Sequence, residues 1–132
     1  IKSYKAIYIG DGSTIYSTSG AISFDGLSNS SHAISFNGAS IGWDRVTGSS
    51  AIITSGNISF QANKTEESNN AYPAIDSRDP NSELRNNYIV STGSISFSGK
   101  NNGEHFIRLY GDDRIGWNGT DEEDDYLAAN IS

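Results

Sequence analysis

Short runs in which large apolar residues alternate with small polar ones recur along the chain. Ile-Ser-Phe occurs four times, and in three of these copies, at 22–24, 58–60 and 95–97, a glycine stands two positions before the isoleucine. Alternation with a period of two places Ile and Phe on one side of a strand and Ser on the other. Gly, Asn, Asp and Ser, which favour turns, separate these runs. The pattern therefore predicts an all-β protein.

The longest of these runs belongs to an internal repeat. Gly20–Asp44 returns as Gly93–Asn118, and at an offset of 73 nine of the nineteen pairs from Gly20/Gly93 to Gly38/Gly111 are identical, where chance would give roughly one or two. With the copy that begins at Gly56, the period is 36 to 37 residues. We interpret residues 1–132 as one β-repeat domain with copies at about 14–48, 49–85 and 86–122.

The second copy lacks the His and Trp that the other two share. In their place stands the polar segment 63–87, which holds both prolines. We interpret this segment as an excursion from the repeat scaffold. Within it, Asp79–Arg85 offers an N-cap acid followed by a proline, which predicts one helical turn.

Composition leaves little core for a single chain. Hydrophobic residues make up 35% of the sequence, Ile outnumbers Leu sixteen to four, and cysteine is absent, so disulfides cannot staple the fold. A strand with two large residues on a face needs neighbours. We therefore expect three chains to wind around one axis as an intertwined homotrimeric triple β-helix or β-prism, with a trimer core of Ile22, Phe24, Ile58, Phe60, Ile95 and Phe97. In the alternative, a threefold axis relates the three copies within one chain, as in a monomeric β-trefoil or β-prism.

Charge and motifs exclude several classes of function. A net charge of −7 without a Lys/Arg cluster argues against binding to nucleic acid, and no apolar run is long enough to be inserted in a membrane. No catalytic motif is present in the sequence. We therefore predict that the chain is not an enzyme and that it binds no cofactor and no metal. The acidic run Asp121–Asp125 is interpreted as a solvated loop, with calcium binding as the alternative. Because the first residue is Ile1 and not methionine, we expect a longer parent protein. A glycan-cleaving domain upstream is left open for that parent.

The two tryptophans are candidates for sugar binding. Each follows an Ile-Gly pair and precedes polar residues that can hydrogen-bond hydroxyls. Arg45 makes the first copy the stronger site and suits an acidic glycan. The alternative is that both rings are packing residues and that His32 and His105, which share a repeat position, are structural. The candidate carbohydrate-binding residues are Trp43, Asp44, Arg45, His32, Trp117, Asn118 and Arg108.

The short strands and their turns, as in Ser17–Gly26 and Ser40–Asp44, resemble the stalk and distal regions of bacteriophage tail fibres and tailspikes. Within that class the likeness is to the C-terminal stalk of phage endosialidases, where an intramolecular chaperone is removed after a serine, and this chain ends at Ser132. The resemblance implies an extracellular module of the virion tail that supports assembly and binds host cell-surface polysaccharide. The alternatives are a soluble lectin and a glycan-degrading enzyme with a site between chains.

Overall fold

The computed structural model describes residues 5–10, 12–28, 32–43, 53–65, 73–77, 87–101, 106–109 and 113–116. This part of the chain is all β, with eleven strands and no helix. The strands are β1 (Lys5–Ile9), β2 (Thr14–Ile15), β3 (Ile22–Ser28), β4 (His32–Phe36), β5 (Ser40–Ile41), β6 (Ile58–Lys64), β7 (Ile75–Asp76), β8 (Tyr88–Ile89), β9 (Ile95–Asn101), β10 (Ile107–Arg108) and β11 (Arg114–Ile115). The predicted helical turn at 79–85 lies outside the described residues.

The strands form three parallel sheets that the chain visits in turn. Sheet 1 has the order β1-β4-β7-β10, sheet 2 has the order β2-β5-β8-β11, and sheet 3 has the order β3-β6-β9. Each strand pairs with the strand three places later in the chain, in parallel. The chain is thus a coil that returns to the same sheet once per turn, which is a parallel β-helix.

Register in sheet 3 follows the spacing of the sequence repeat. Ile22, Ile58 and Ile95 are ladder partners, and Phe24, Phe60 and Phe97 are partners two positions later. Neighbouring phenylalanine rings in this series stack with centroids 5.0 Å apart. Because one repeat is one coil of the chain, equivalent residues lie one above the other. The copies therefore stack along an axis instead of surrounding it, and the β-trefoil and threefold β-prism alternatives are wrong for the described residues.

The apolar core lies inside the coil, between the three sheets. Ile34, Phe36, Ile58, Phe60 and Ile95 are fully buried by residues of their own chain. The expectation that a single chain cannot close a core is therefore wrong. That expectation considered the apolar residues of each strand separately, whereas each coil brings three strands toward a shared interior. The homotrimer stays a prediction, because ladders within one chain do not test association between chains.

The polar segment 63–87 belongs in part to the scaffold. Asn63 and Lys64 end β6, and Ile75 and Asp76 of β7 are fully buried between β4 and β10. The prediction of one continuous excursion is corrected accordingly. Residues 66–72 and 78–86, on either side of β7, lie outside the described part of the chain.

Glycine anchors the corner that precedes each strand of sheet 3. A Cβ atom on Gly56 would lie 2.3 Å from the backbone oxygen of Gly20, the equivalent glycine one coil earlier. Real Cβ atoms do not approach a carbonyl so closely. Gly56 is thus required by close backbone stacking on Gly20.

Candidate functional site

Trp43 lies in a small apolar cluster and not on the surface. Its side chain is 5% exposed, and its ring centroid lies 5.4 Å from that of Tyr88. Val90 and Ile53 complete the cluster. A sugar platform needs an open ring face, so the proposal that Trp43 binds a sugar is corrected, and the packing alternative describes this residue. Its predicted neighbours Asp44 and Arg45, and the second set Trp117 and Asn118, lie outside the described residues.

The predicted residues His32 and Arg108 meet at a carboxylate that the sequence did not single out. Strands β4, β7 and β10 are consecutive in sheet 1, and Ser35, Asp76 and Arg108 occupy one row across them. The Arg108 guanidinium lies 2.5 Å from Asp76 Oδ2, and Arg108 Nε lies 3.4 Å from Oδ1. His32 Nε2 lies 3.2 Å from the same Oδ2. Two basic side chains from different coils therefore converge on Asp76.

The partners of His32 favour its charged form. Nδ1 lies 2.8 Å from the carbonyl oxygen of Pro73, a group that can only accept a hydrogen bond. Nε2 faces the Asp76 carboxylate, although the angle is not that of a hydrogen bond. With acceptors near both ring nitrogens, an imidazolium satisfies the site better than either neutral tautomer.

This cluster links coils and is closed to ligands. Asp76 is fully buried and His32 is 1% exposed, while the Arg108 side chain is 40% exposed. A carboxylate without exposed surface cannot reach a sugar, so its chemistry is charge compensation inside the fold. The burial of His32 fits the structural role that the sequence analysis gave as the alternative to sugar binding. The Arg108 side chain is partly exposed, and its guanidinium is directed at Asp76.

Asn87 is a second polar link between coils. Its side-chain oxygen accepts a hydrogen bond from Ala39 N at 2.9 Å, and its Nδ2 donates to Ser77 O at 3.0 Å and to Asp113 Oδ1 at 2.9 Å. The residue is 1% exposed and spans three successive coils. Sequence reasoning missed it because Asn87 stood at the end of a segment interpreted as an excursion.

The most open polar surface in the described structure is the outer side of sheet 3. We call it the serine–asparagine face. Along each of its three strands, alternate residues point away from the core and are exposed or half-buried. The face consists of Ser23, Asp25 and Leu27 on β3, Ser59, Gln61 and Asn63 on β6, and Ser96, Ser98 and Lys100 on β9.

Register turns these residues into rows across the sheet. Ser23, Ser59 and Ser96 form one row, and Ser59 Oγ donates to Ser23 Oγ at 3.1 Å. Asp25 and Lys100, the only charged members, stand on the two outer strands, β3 and β9, in neighbouring rows. The result is a surface of hydroxyl and amide groups with no net charge on a chain whose net charge is −7. The alternating pattern of the three copies, aligned at their period, contained the signal for this face.

Lys64 is an unusual buried cation at the end of β6. It shares a row with Ser28 and Asn101 on the inner side of sheet 3, and it is 1% exposed. Burial lowers the pKa of the Lys64 ammonium. Its position inside the coil makes it a feature of folding and not of the exposed face.

Comparison with known proteins adds no relative. No protein-family model, curated protein or solved structure matches this chain. In the part of the chain that the structure describes, no helix has the length and apolarity needed to cross a membrane. Among the same residues, no group of three or more His, Asp and Glu side chains is placed to hold a metal ion.

Proposed function

We propose that this chain is a segment of an extracellular fibre whose serine–asparagine face binds a cell-surface polysaccharide. The observation that carries the proposal is the regular array of outward hydroxyl and amide groups on β3, β6 and β9. Parallel neighbours lie about 4.8 Å apart, so equivalent groups recur at a fixed interval along the coil axis. A linear polymer with a short chemical repeat is the ligand class that such an array suits.

The chemistry of the face fits sugar hydroxyls. Gln61 and Asn63 each offer two donors and an acceptor, and the serines offer one donor and two acceptors. Leu27, with 64% of its surface exposed, supplies an apolar contact at one corner. Each contact on a flat, hydrated surface is weak, and useful affinity comes from many equivalent contacts along one polymer.

Charge favours a neutral polysaccharide over an acidic one. The face holds one carboxylate, Asp25, and one ammonium group, Lys100. An acidic polymer would gain little from this pair and would be repelled by the rest of an acidic chain. The earlier preference for an acidic glycan depended on Arg45, which lies outside the described residues.

The setting that we propose is a bacteriophage tail fibre or tailspike, and its support is the resemblance in the sequence. A stacked coil with a binding face along its length suits a shaft that holds host polysaccharide. We further propose that three chains associate as a homotrimer. Exposed Tyr8, Tyr16 and Leu109, each between 42% and 44% exposed, are the apolar surface available for lateral contact.

Binding to glycan arrays and calorimetry test the proposed face. The double variant Gln61→Ala, Asn63→Ala should weaken binding to a neutral polysaccharide about tenfold or more, because truncating central contacts costs about 1–2 kcal/mol. Thr18→Ala is the matched control, since Thr18 is exposed but not part of the face. Equal binding by the double variant and the unmodified chain would remove the face from consideration.

Light scattering tests the oligomeric state. A trimer should have three times the chain mass of 14.2 kDa. A monomer that still binds glycan would support the lectin alternative instead of the fibre. Release of new reducing ends from the polysaccharide would support the enzyme alternative.

A further inference from the structure

The amides of the serine–asparagine face differ from its serines in how they are bonded. Ser59 Oγ donates to Ser23 Oγ at 3.1 Å, so these two hydroxyls already satisfy each other in part. The side chains of Gln61 and Asn63, on the central strand β6, make no hydrogen bond within the described part of the chain. Gln61 is exposed and Asn63 is half-buried. Two primary amides are therefore available to a ligand at the centre of the face.

Leu27 places an apolar group beside one of these amides. It is 64% exposed, which is more than any other large apolar side chain in the described structure. Leu27 and Asn63 are ladder partners on β3 and β6, and registered neighbours lie about 4.8 Å apart. A single exposed leucine is ordinary on a protein surface. The informative feature is its register beside an amide that its own chain leaves unbonded.

An acetamido group matches this pair of side chains. Its N–H donates one hydrogen bond and its carbonyl oxygen accepts one, and the Asn63 amide has the complementary acceptor and donor. Its methyl group favours binding about fourfold when an apolar side chain such as Leu27 removes it from water. A sugar hydroxyl can use the amide but has no apolar part for Leu27 to cover. The acetamido group also carries no charge, which fits a face whose two charges, Asp25 and Lys100, are of opposite sign.

We propose that the polysaccharide bound by this face carries acetamido groups on its sugar rings, and that Leu27 and Asn63 recognise them. The inference rests on the proposed function, since it names the chemical class of the same ligand. In this arrangement Asn63 exchanges two hydrogen bonds with the acetamido group, and Leu27 contacts the methyl group. Gln61 stands two positions earlier on the same strand, about 7 Å away, and serves hydroxyl groups of the same polymer.

A glycan array of matched pairs tests the preference. The two members of a pair are neutral glycans that differ only in carrying an acetamido group or a hydroxyl at one carbon, and pairs that bind are then measured by calorimetry. The unmodified chain should bind the acetamido member about tenfold more tightly, because a methyl contact and one further hydrogen bond are gained. Leu27→Ser should reduce that preference about fourfold, because serine cannot cover the methyl group. Asn63→Asp keeps the shape and an acceptor but loses the donor, and should reduce the preference about threefold or more.

Leu109→Ser is the matched control for the leucine change. Leu109 is 43% exposed and lies outside the face, so its replacement removes an exposed leucine without removing the proposed contact. The preference for the acetamido member should stay unchanged in this variant. The urea midpoints of all three variants should lie close to that of the unmodified chain, because the replaced side chains are exposed or half-buried. A loss of preference at an unchanged midpoint then reports on binding and not on folding.

The outcomes of these measurements separate the acetamido preference from the proposed function. Binding with equal affinity to both members of each pair would overturn the acetamido preference and leave polysaccharide binding in place. A preference that survives in both Leu27→Ser and Asn63→Asp, or that falls equally in Leu109→Ser, would overturn the assignment to this pair of side chains. Failure to bind any glycan on the array would contradict the proposed function, and the acetamido preference with it.

Discussion

Replacing Asp76 with asparagine removes one charge from a fully buried position and almost no volume. In the folded chain Asp76 Oδ2 lies 2.5 Å from the Arg108 guanidinium and 3.2 Å from His32 Nε2. The amide of asparagine can keep one polar contact but cannot balance two basic groups. Asp76→Asn should therefore destabilise the fold by leaving buried positive charge uncompensated.

The magnitude follows from the exposure of the two partners. Breaking a buried ion pair by removing one member typically costs about 3–5 kcal/mol. Arg108 is 40% exposed and can recover hydration, whereas His32 is 1% exposed and cannot. We therefore expect the lower end, about 3 kcal/mol of unfolding free energy. With a urea slope of about 2 kcal/mol per molar, the midpoint should fall by about 1.5 M.

A double-mutant cycle separates the charge pair from general disruption. Arg108→Gln, Asp76→Asn and the combined variant are compared by urea unfolding followed by circular dichroism. If the two side chains act together, the combined loss should be smaller than the sum of the single losses by about 1–3 kcal/mol. Additive losses, or a midpoint for Asp76→Asn within about 0.3 M of the unmodified chain, would refute the ion-pair reasoning.

Four further substitutions test packing and burial. Phe60→Ala should lower the free energy of unfolding by about 3–5 kcal/mol, because the ring is fully buried between two stacked rings. Phe97→Ala, at the half-buried end of the ladder, should lower it by roughly half as much. Equal losses in urea unfolding would contradict the ladder. Ser35→Ala should be neutral or stabilise by about 1 kcal/mol, because the buried Ser35 hydroxyl has no hydrogen-bond partner among the described residues, and a clear drop in the melting temperature would speak against this. Lys64 has a lowered pKa in the fold, so the unfolded chain binds more protons between that value and the ordinary 10.5, and stability should rise with pH across this window. Lys64→Met should flatten that rise in urea midpoints measured from pH 7 to 10, and an unchanged slope would assign the pH dependence to other groups.

Sheet 3 could be predicted from the sequence because its three strands repeat the same residues. Ile-Ser-Phe with a glycine two positions earlier, at intervals of 36 and 37 residues, indicates both the alternation and the register. Strands β7 and β8 gave no such signal. Each contributes a short stretch with one core isoleucine, Ile75 or Ile89, and intervening segments of unequal length hide the period.

The candidate sites were harder to predict than the strands. The sequence shows that a tryptophan recurs after Ile-Gly, but it does not show that Tyr88 and Val90 of the next coil cover Trp43. Asp76 likewise appears in a polar segment, and only the coil brings it between His32 and Arg108. Such contacts join residues 32 to 47 positions apart, at distances in sequence that no local pattern encodes.

The choice between a single coil and an intertwined trimer depends on the shortest return of the chain to the same sheet. Lys5 pairs with His32 and Thr14 pairs with Ser40, which are returns of 27 and 26 positions, and only Ala-Ile is shared between β1 and β4. The longer interval of 36 to 37 includes residues added between β5 and β6. The visible repeat thus overstates the length of the basic coil. A ladder of Ile and Phe has the same alternation whether the next strand comes from the same chain or from another, so periodicity alone could not decide between the two architectures. A return of about 27 residues is enough for one chain to supply three strands and their corners, so the connection lengths are compatible with a single coil.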